Sequence, residues 1–245
     1  MVTAWIAVVF FVVLAAIART RKGLVPKGIH NVFEAVVEFL LTEIQKVTLD
    51  RARAKQFLPI VGTIFLFVLV LNWMGQIPGT GSIGFWHTLD GARELIPLLR
   101  PASSDINMTL AIALFAIIST HIFGLIKVGP VGHLSKFVNV RGIVKSITKG
   151  PMAILVAVIE FFVGLLEIIS EFAKVLSLTL RLFGNIFAGE VLLTVMMGIF
   201  AYFLPLPFIF LEILVGAIQA TVFGMLTLAF LTVSTEPHGE EAHSH

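Results

Sequence analysis

Arg181 stands alone in the apolar stretch Ser177-Leu178-Thr179-Leu180-Arg181-Leu182-Phe183-Gly184-Asn185-Ile186-Phe187-Ala188-Gly189-Glu190. An arginine at the middle of a membrane helix costs roughly 2.5–3.5 kcal/mol on insertion scales, and its guanidinium stays protonated at any relevant pH. A charge that costly and permanent serves an ion path, a ligand or a counter-ion; the competing reading is a structural ion pair between helices. Glu160, Glu167, Glu171, Lys174, Arg181 and Asn185 are spaced 7, 4, 3, 7 and 4 residues apart. At about 100° per residue all six share an arc of roughly 80° on one helix face. Glu171 and Lys174 form an i, i+3 pair, but Arg181 has no carboxylate three or four residues away on either side. Its partner therefore comes from elsewhere.

Glu190 lies nine residues beyond Arg181, about half a turn round the helix, and faces a different neighbour. The last apolar segment offers one: Glu212, Gly216, Gln219 and Phe223 share a face at spacings of 4, 3 and 4. Buried carboxylates are costly unless hydrated, paired or protonated. Glu190, Glu212 and Gln219 thus read as the lining of an aqueous half-path. For Gln219 an interhelical hydrogen bond is the equal alternative.

These residues sit in a chain of 245 residues with 58% hydrophobic and 13% charged residues and a mean hydropathy of +1.00. That balance predicts an all-α polytopic membrane protein, a single membrane domain over 1–245. With no cysteine there is neither disulfide nor thiolate chemistry. No basic run with interleaved aromatics suggests nucleic acid, no Gly-x-x-x-x-Gly-Lys loop suggests a nucleotide site, and no cofactor or metal is expected.

About five membrane-embedded helices and one surface helix are predicted to position the polar groups. Residues 2–18 form the first span: the basic cluster Arg19, Arg21 and Lys22 follows the apolar run, the reverse of a signal peptide. After Pro26, residues 29–50 carry an i, i+3, i+4, i+7 apolar pattern and read as an amphipathic helix along the membrane surface. Spans follow at 57–73, with Trp73 as interfacial anchor, and at 106–126, with Asp105 and Asn107 at the boundary. Thr80 to Ser104 reads as a loop. Residues 151–203 and 206–233 are the last two helices, and 234–245 is a polar tail whose histidines match no metal motif. Of 17 basic residues, eight fall between Arg19 and Lys55 and five between Lys127 and Lys149. The positive-inside rule makes those segments cytoplasmic, with the N-terminus outside and the C-terminus inside.

A helix over Pro151 to Phe200 would be about 75 Å long, against a hydrocarbon core of roughly 30 Å. Either it breaks at a re-entrant turn or it is steeply inclined. Extreme tilt needs a large protein surface to pack against.

At these residues the chain resembles subunit a of the F-type ATP synthase, of bacterial type. Ser177 to Glu190 is similar to that family's signature around its arginine. Asn72 to Gly79 (NWMGQIPG), Pro101 to Leu110 (PASSDINMTL) and Leu211 to Leu231 resemble its external turn, its approach to the third span and its last helix. The likeness spans nearly the whole chain, although some members carry histidine at the position of Glu212.

The resemblance implies a non-catalytic stator and channel subunit in a bacterial plasma (inner) membrane, with two aqueous half-channels carrying H⁺ or Na⁺ to and from a rotor ring. The last two helices would form a strongly tilted hairpin. Arg181 would face the ring of c subunits, with Asn185 beside it. Glu190, Glu212 and Gln219 would line the outer half-channel, with Asp105 and Asn107 near its mouth. Glu167 would lie toward the cytoplasmic exit, with Ser177 closer to the arginine. Partners would be the c-ring, the b-subunit peripheral stalk, the other synthase subunits and membrane lipid. A secondary ion-coupled transporter is the rival reading; it calls for internal repeats and discontinuous helices, neither of which the sequence displays.

Overall fold

The structure is a computed structural model that describes residues 2–19, 29–77, 84–89, 92–97, 100–130, 132, 151–200, 203 and 205–235. Pro26, most of the basic stretch between Lys127 and Gly150, and the polar tail expected from 234 onward, beyond Thr235, lie outside the described residues. The described residues include six long helices: α1 (Val2–Arg19), α2 (Ile29–Thr48), α3 (Arg51–Met74), α4 (Ile106–Val128), α5 (Pro151–Ile199) and α6 (Pro205–Thr235). The chain is an all-α polytopic membrane protein. Among the described residues four helices are long and apolar enough to cross a membrane: α3, α4, the Phe161–Ile199 part of α5, and α6. The described apolar part of α1, Val2–Ala16, is shorter.

The helices meet through small residues and aliphatic stripes. In a bilayer lipid tails are as apolar as leucine, so association depends on close packing rather than on escape from water. Ala4 and Ala7 of α1, Ala113 and Ala116 of α4, and Ala220 and Gly224 of α6 are buried and let backbones approach. Leu178, Leu182 and Ile186 give α5 an i, i+4 stripe that joins Val68 and Leu71 of α3, Ala116 of α4 and Phe223 of α6 in one core. A second core sets Leu41 and Ile44 of α2 against Ala54, Phe57 and Val61 of α3 and Leu228 and Leu231 of α6.

Local chemistry sets the helix ends. Asp50 caps α3 by accepting the Ala52 N–H at 2.9 Å. Leu49, at φ 55°, provides the sharp link from α2. Asp105 caps α4 in the same way, and Gly129 takes φ 83° just beyond its end. Hydroxyls inside the spans bond their own helix backbone, as Ser119 does to Phe115 O at 2.7 Å and Thr120 to Ala116 O at 3.0 Å, so no water is needed there.

Two features bear on the sequence expectations. First, α5 runs unbroken for 49 residues, about 73 Å at the usual rise, so the re-entrant turn does not form: nothing after Pro151 interrupts its hydrogen-bond ladder. Second, the segment expected to be a plain loop contains an antiparallel hairpin, β1 (Gly84–Leu89) paired with β2 (Ala92–Pro97) in the register Leu89↔Ala92 to Gly84↔Pro97, followed by a 3₁₀ turn at Ala102–Ser104. Asp90-Gly91 stands between the strands in the sequence, and that pair favours a two-residue hairpin turn next to aromatic and β-branched residues.

Candidate functional site: polar clusters along the α5–α6 face

Three polar groupings lie along α5. At one end Glu190 meets Arg100, with Arg100 Nε 2.9 Å from Oε1 and Nη2 3.3 Å from Oε2. This is the two-pronged geometry that guanidinium and carboxylate favour. Beside it is Glu212 of α6, only 7% exposed. Its carboxylate lies against the backbone of Gly189, where any Cβ would collide with it. Gln76, just past α3, is within hydrogen-bonding reach of Glu212, and the charge of Glu190 acts on it. Oε1 of Glu212 is buried with no hydrogen-bond partner among the described residues. Glu190 and Glu212, expected to be neighbours from the sequence, are thus brought together.

At the middle, Asn185 donates from Nδ2 to Oε1 of Gln219 at 2.6 Å. Gln219 is 4% exposed, and its Nε2 is without a partner among the described residues. The interhelical hydrogen bond weighed for Gln219 therefore forms, and its free amide still offers a donor. Arg181, one turn before Asn185, is exposed, and among the described residues it has neither ion pair nor hydrogen bond. It borders an open cavity of about 250 Å³ shared with Ser177, Lys174, Ser170 and Phe230.

At the far end Glu171 is held from two sides: Lys174 Nζ at 2.7 Å and His121 Nε2 of α4 at 3.4 Å. Lys174 also sits over the Phe230 ring, 5.2 Å from its centroid. The polar stripe of α5 is therefore divided. Its Glu171–Lys174 part is satisfied within the chain, Arg181 is left without a countercharge among the described residues, and the side chain of Glu160 lies outside them. Along α5 Arg181 is roughly 15 Å from Glu171 and about 14 Å from Glu190, by the rise per residue.

The remaining sequence candidates take other places. Ser177 lines the cavity with Arg181. Glu167 is half-buried and is not among that cavity's lining residues. Asp105 is engaged in capping, accepting from Asn107 N at 2.9 Å and from Asn107 Nδ2 at 3.1 Å, so these two hold the start of α4.

Three participants are not evident from the sequence pattern. Arg100 stands there only as one of two basic residues, with Arg93, in the stretch read as a loop from Thr80 to Ser104. His121 is an ionisable residue within an apolar span, which by itself marks a functional candidate. Asn72, 1% exposed, donates to Gly216 O at 3.1 Å and accepts from Ser103 Oγ at 2.9 Å. It ties α3, α6 and the 3₁₀ turn together beneath the Glu212 cluster. Trp73 adds a bond from Nε1 to Ile213 O at 3.1 Å.

Comparison with known proteins places the chain in a family. The profile of the family described as ATP synthase A chain matches residues 1–232. The chain is 32% identical over 240 residues to the ATP synthase subunit a of Gloeobacter violaceus, an alignment covering 98% of this chain and 85% of that protein. A membrane bundle of long apolar helices, an arginine without a partner among the described residues and similarity over nearly the whole of this chain lead to one assignment: the chain belongs to the ATP synthase subunit a family.

Proposed function

We propose that Arg181 is the fixed charge separating two ion paths on the α5–α6 face, and that it meets a rotor carboxylate supplied by another subunit. The protein is a non-catalytic membrane subunit of an F-type ATP synthase, acting as its proton-channel stator; family membership disfavours the secondary transporter. The observation that carries the residue assignment is the contrast among cations. Arg100 and Lys174 each hold a carboxylate of this chain, whereas Arg181, between them, has none among the described residues. Leaving a membrane charge unpaired is costly, so its countercharge comes with the assembled complex.

The outer path comprises Glu190, Glu212, Gln219 and Asn185, with Asp105 and Asn107 near its mouth. The inner path comprises the cavity beside Ser177 and Arg181 and continues past Glu167. An ion, H⁺ or Na⁺, passes along one path to a carboxylate of the c-ring, travels with the turning ring, and leaves by the other. Arg181 drives the release. At about 4 Å and an effective dielectric near 20, a charge pair is worth about 4 kcal/mol, enough to favour the ionised carboxylate by several powers of ten. Because guanidinium does not deprotonate, the same group blocks proton transfer straight from path to path. The membrane potential contributes roughly 2.3 kcal/mol per charge per 100 mV.

The whole chain serves as one membrane domain in a bacterial inner membrane, N-terminus outside and C-terminus cytoplasmic, with α5 and α6 tilted against the ring and the b-subunit stalk holding the assembly still. Crosslinking tests the placement. Asn185→Cys should crosslink to a cysteine on the ion-binding helix of the ring. Crosslinking to the ring from Phe172→Cys, 76% exposed, with none from position 185, would overturn it.

A further inference from the structure

Glu190 is gripped by a side chain that the proposed paths leave without a role. The backbone carrying Arg100 is tied down on several sides. Thr3 of α1, itself 2% exposed, donates from Oγ1 to Arg100 O at 2.8 Å. The ring of Pro101 lies where a Cβ on Gly75 would be, with Cγ 2.6 Å from that point, so the chain can pass α3 this closely only over a glycine. Ser104 Oγ donates to Pro101 O at 2.8 Å, and Ser103 Oγ donates to Asn72 at 2.9 Å. A segment fixed to α1 and α3 thus presents a guanidinium to a carboxylate on α5.

We propose that Arg100 is a positioning residue of the outer ion path: its guanidinium holds the Glu190 carboxylate in register beside Glu212. This rests on the reading that Glu190 and Glu212 line that path. The charges give the arrangement its use. Two neighbouring carboxylates without a cation repel each other, and either could swing away or take up an ion independently. With Arg100 in place the cluster carries a single net negative charge when both carboxylates are ionised, which one transported cation neutralises. The buried Oε1 of Glu212, without a partner among the described residues, is the atom left to receive it. The bidentate contact also uses both oxygens of Glu190, so Glu190 orients and Glu212 exchanges.

The test is passive proton uptake through the membrane sector of the assembled complex in vesicles stripped of the ATP-hydrolysing head, with subunit content checked on each preparation. Arg100→Gln should slow uptake about tenfold. Arg100→Lys, which keeps the charge without the fork, should recover most of that loss. Thr3→Val, which loosens the same backbone and leaves the charge, should stay near the wild-type rate. Wild-type uptake in Arg100→Gln would overturn the proposal. So would equal losses in Arg100→Gln, Arg100→Lys and Thr3→Val, since the backbone link alone would then explain them. Glu190→Gln separates the two levels: no loss there removes Glu190 from the path altogether, whereas loss there with wild-type uptake in Arg100→Gln removes only the role of Arg100.

Discussion

Replacing Gly189 by alanine isolates the path from the fold. A Cβ at position 189 would overlap the Glu212 carboxylate, with Oε2 at 3.0 Å and Oε1 nearer still. What it strikes is the far end of a flexible side chain, not backbone, so the helices need not separate. The carboxylate has to retreat by about 1 Å, and a misplacement of about 1 Å in a reacting group can cost as much as ~100-fold in rate. The stability change has the opposite sign, since glycine is about 1 kcal/mol less favourable than alanine inside a helix. The complex should therefore assemble normally and resist heat at least as well, while ATP-driven proton pumping falls by about 10- to 100-fold. Glu212→Asp, one methylene shorter, should restore part of the rate in the Gly189→Ala background by making room for the new methyl. Unchanged pumping in Gly189→Ala would refute the reasoning that Glu212 must lie against α5. Loss of assembly would place the glycine in helix packing instead.

Asn72→Ala removes two interhelical hydrogen bonds and leaves Ser103 Oγ and Gly216 O without their partner. At about 1 kcal/mol for each bond, thermal dissociation of the subunit from the purified complex should occur several degrees lower, and Asn72→Asp, which sets a buried carboxylate against the Gly216 carbonyl, should lose at least as much. Glu171→Gln strips the anion from between Lys174 and His121, both of which lie within 3.4 Å of it. Charge-assisted bonds of this kind contribute roughly 1.5–3 kcal/mol, so a loss of about 2 kcal/mol is expected in a chemical-denaturation profile. Trp73→Phe gives up only the bond to Ile213 O, and its cost should stay near 1 kcal/mol by the same assay.

Residues on one helix face recur at fixed spacing whatever surrounds them, so periodicity makes the polar stripe of α5 legible in the sequence. Periodicity does not say which members of the stripe are satisfied. Lys174 pairs within its own helix, as its spacing from Glu171 suggests, but His121 comes to Glu171 from α4 and Arg100 to Glu190 from a segment 90 residues away. Long-range contacts of that sort leave no local trace. The length of α5 rules out an ordinary upright span, and the absence of proline after Pro151 favours the continuous helix that forms. The hairpin at Gly84–Leu89 and Ala92–Pro97 has its signal in Asp90-Gly91, which the glycines and prolines around it obscure, since those residues mark irregular loops as often as turns. Asp105 and Asn107 show the reverse case. Their types suit an ion path, but a residue just before an apolar helix is also where a cap belongs; the cap forms, and it leaves the two residues near the mouth of the proposed outer path.

Arg181→Ala, measured for ion-driven ATP synthesis and for passive proton leak in the same vesicles, tests the central claim most directly. If Arg181 is the fixed charge between two paths, the complex will assemble with its full subunit content, synthesis will be lost, and leak will rise. Coupled synthesis at the wild-type rate with no added leak would contradict it, and would return Arg181 to a structural charge.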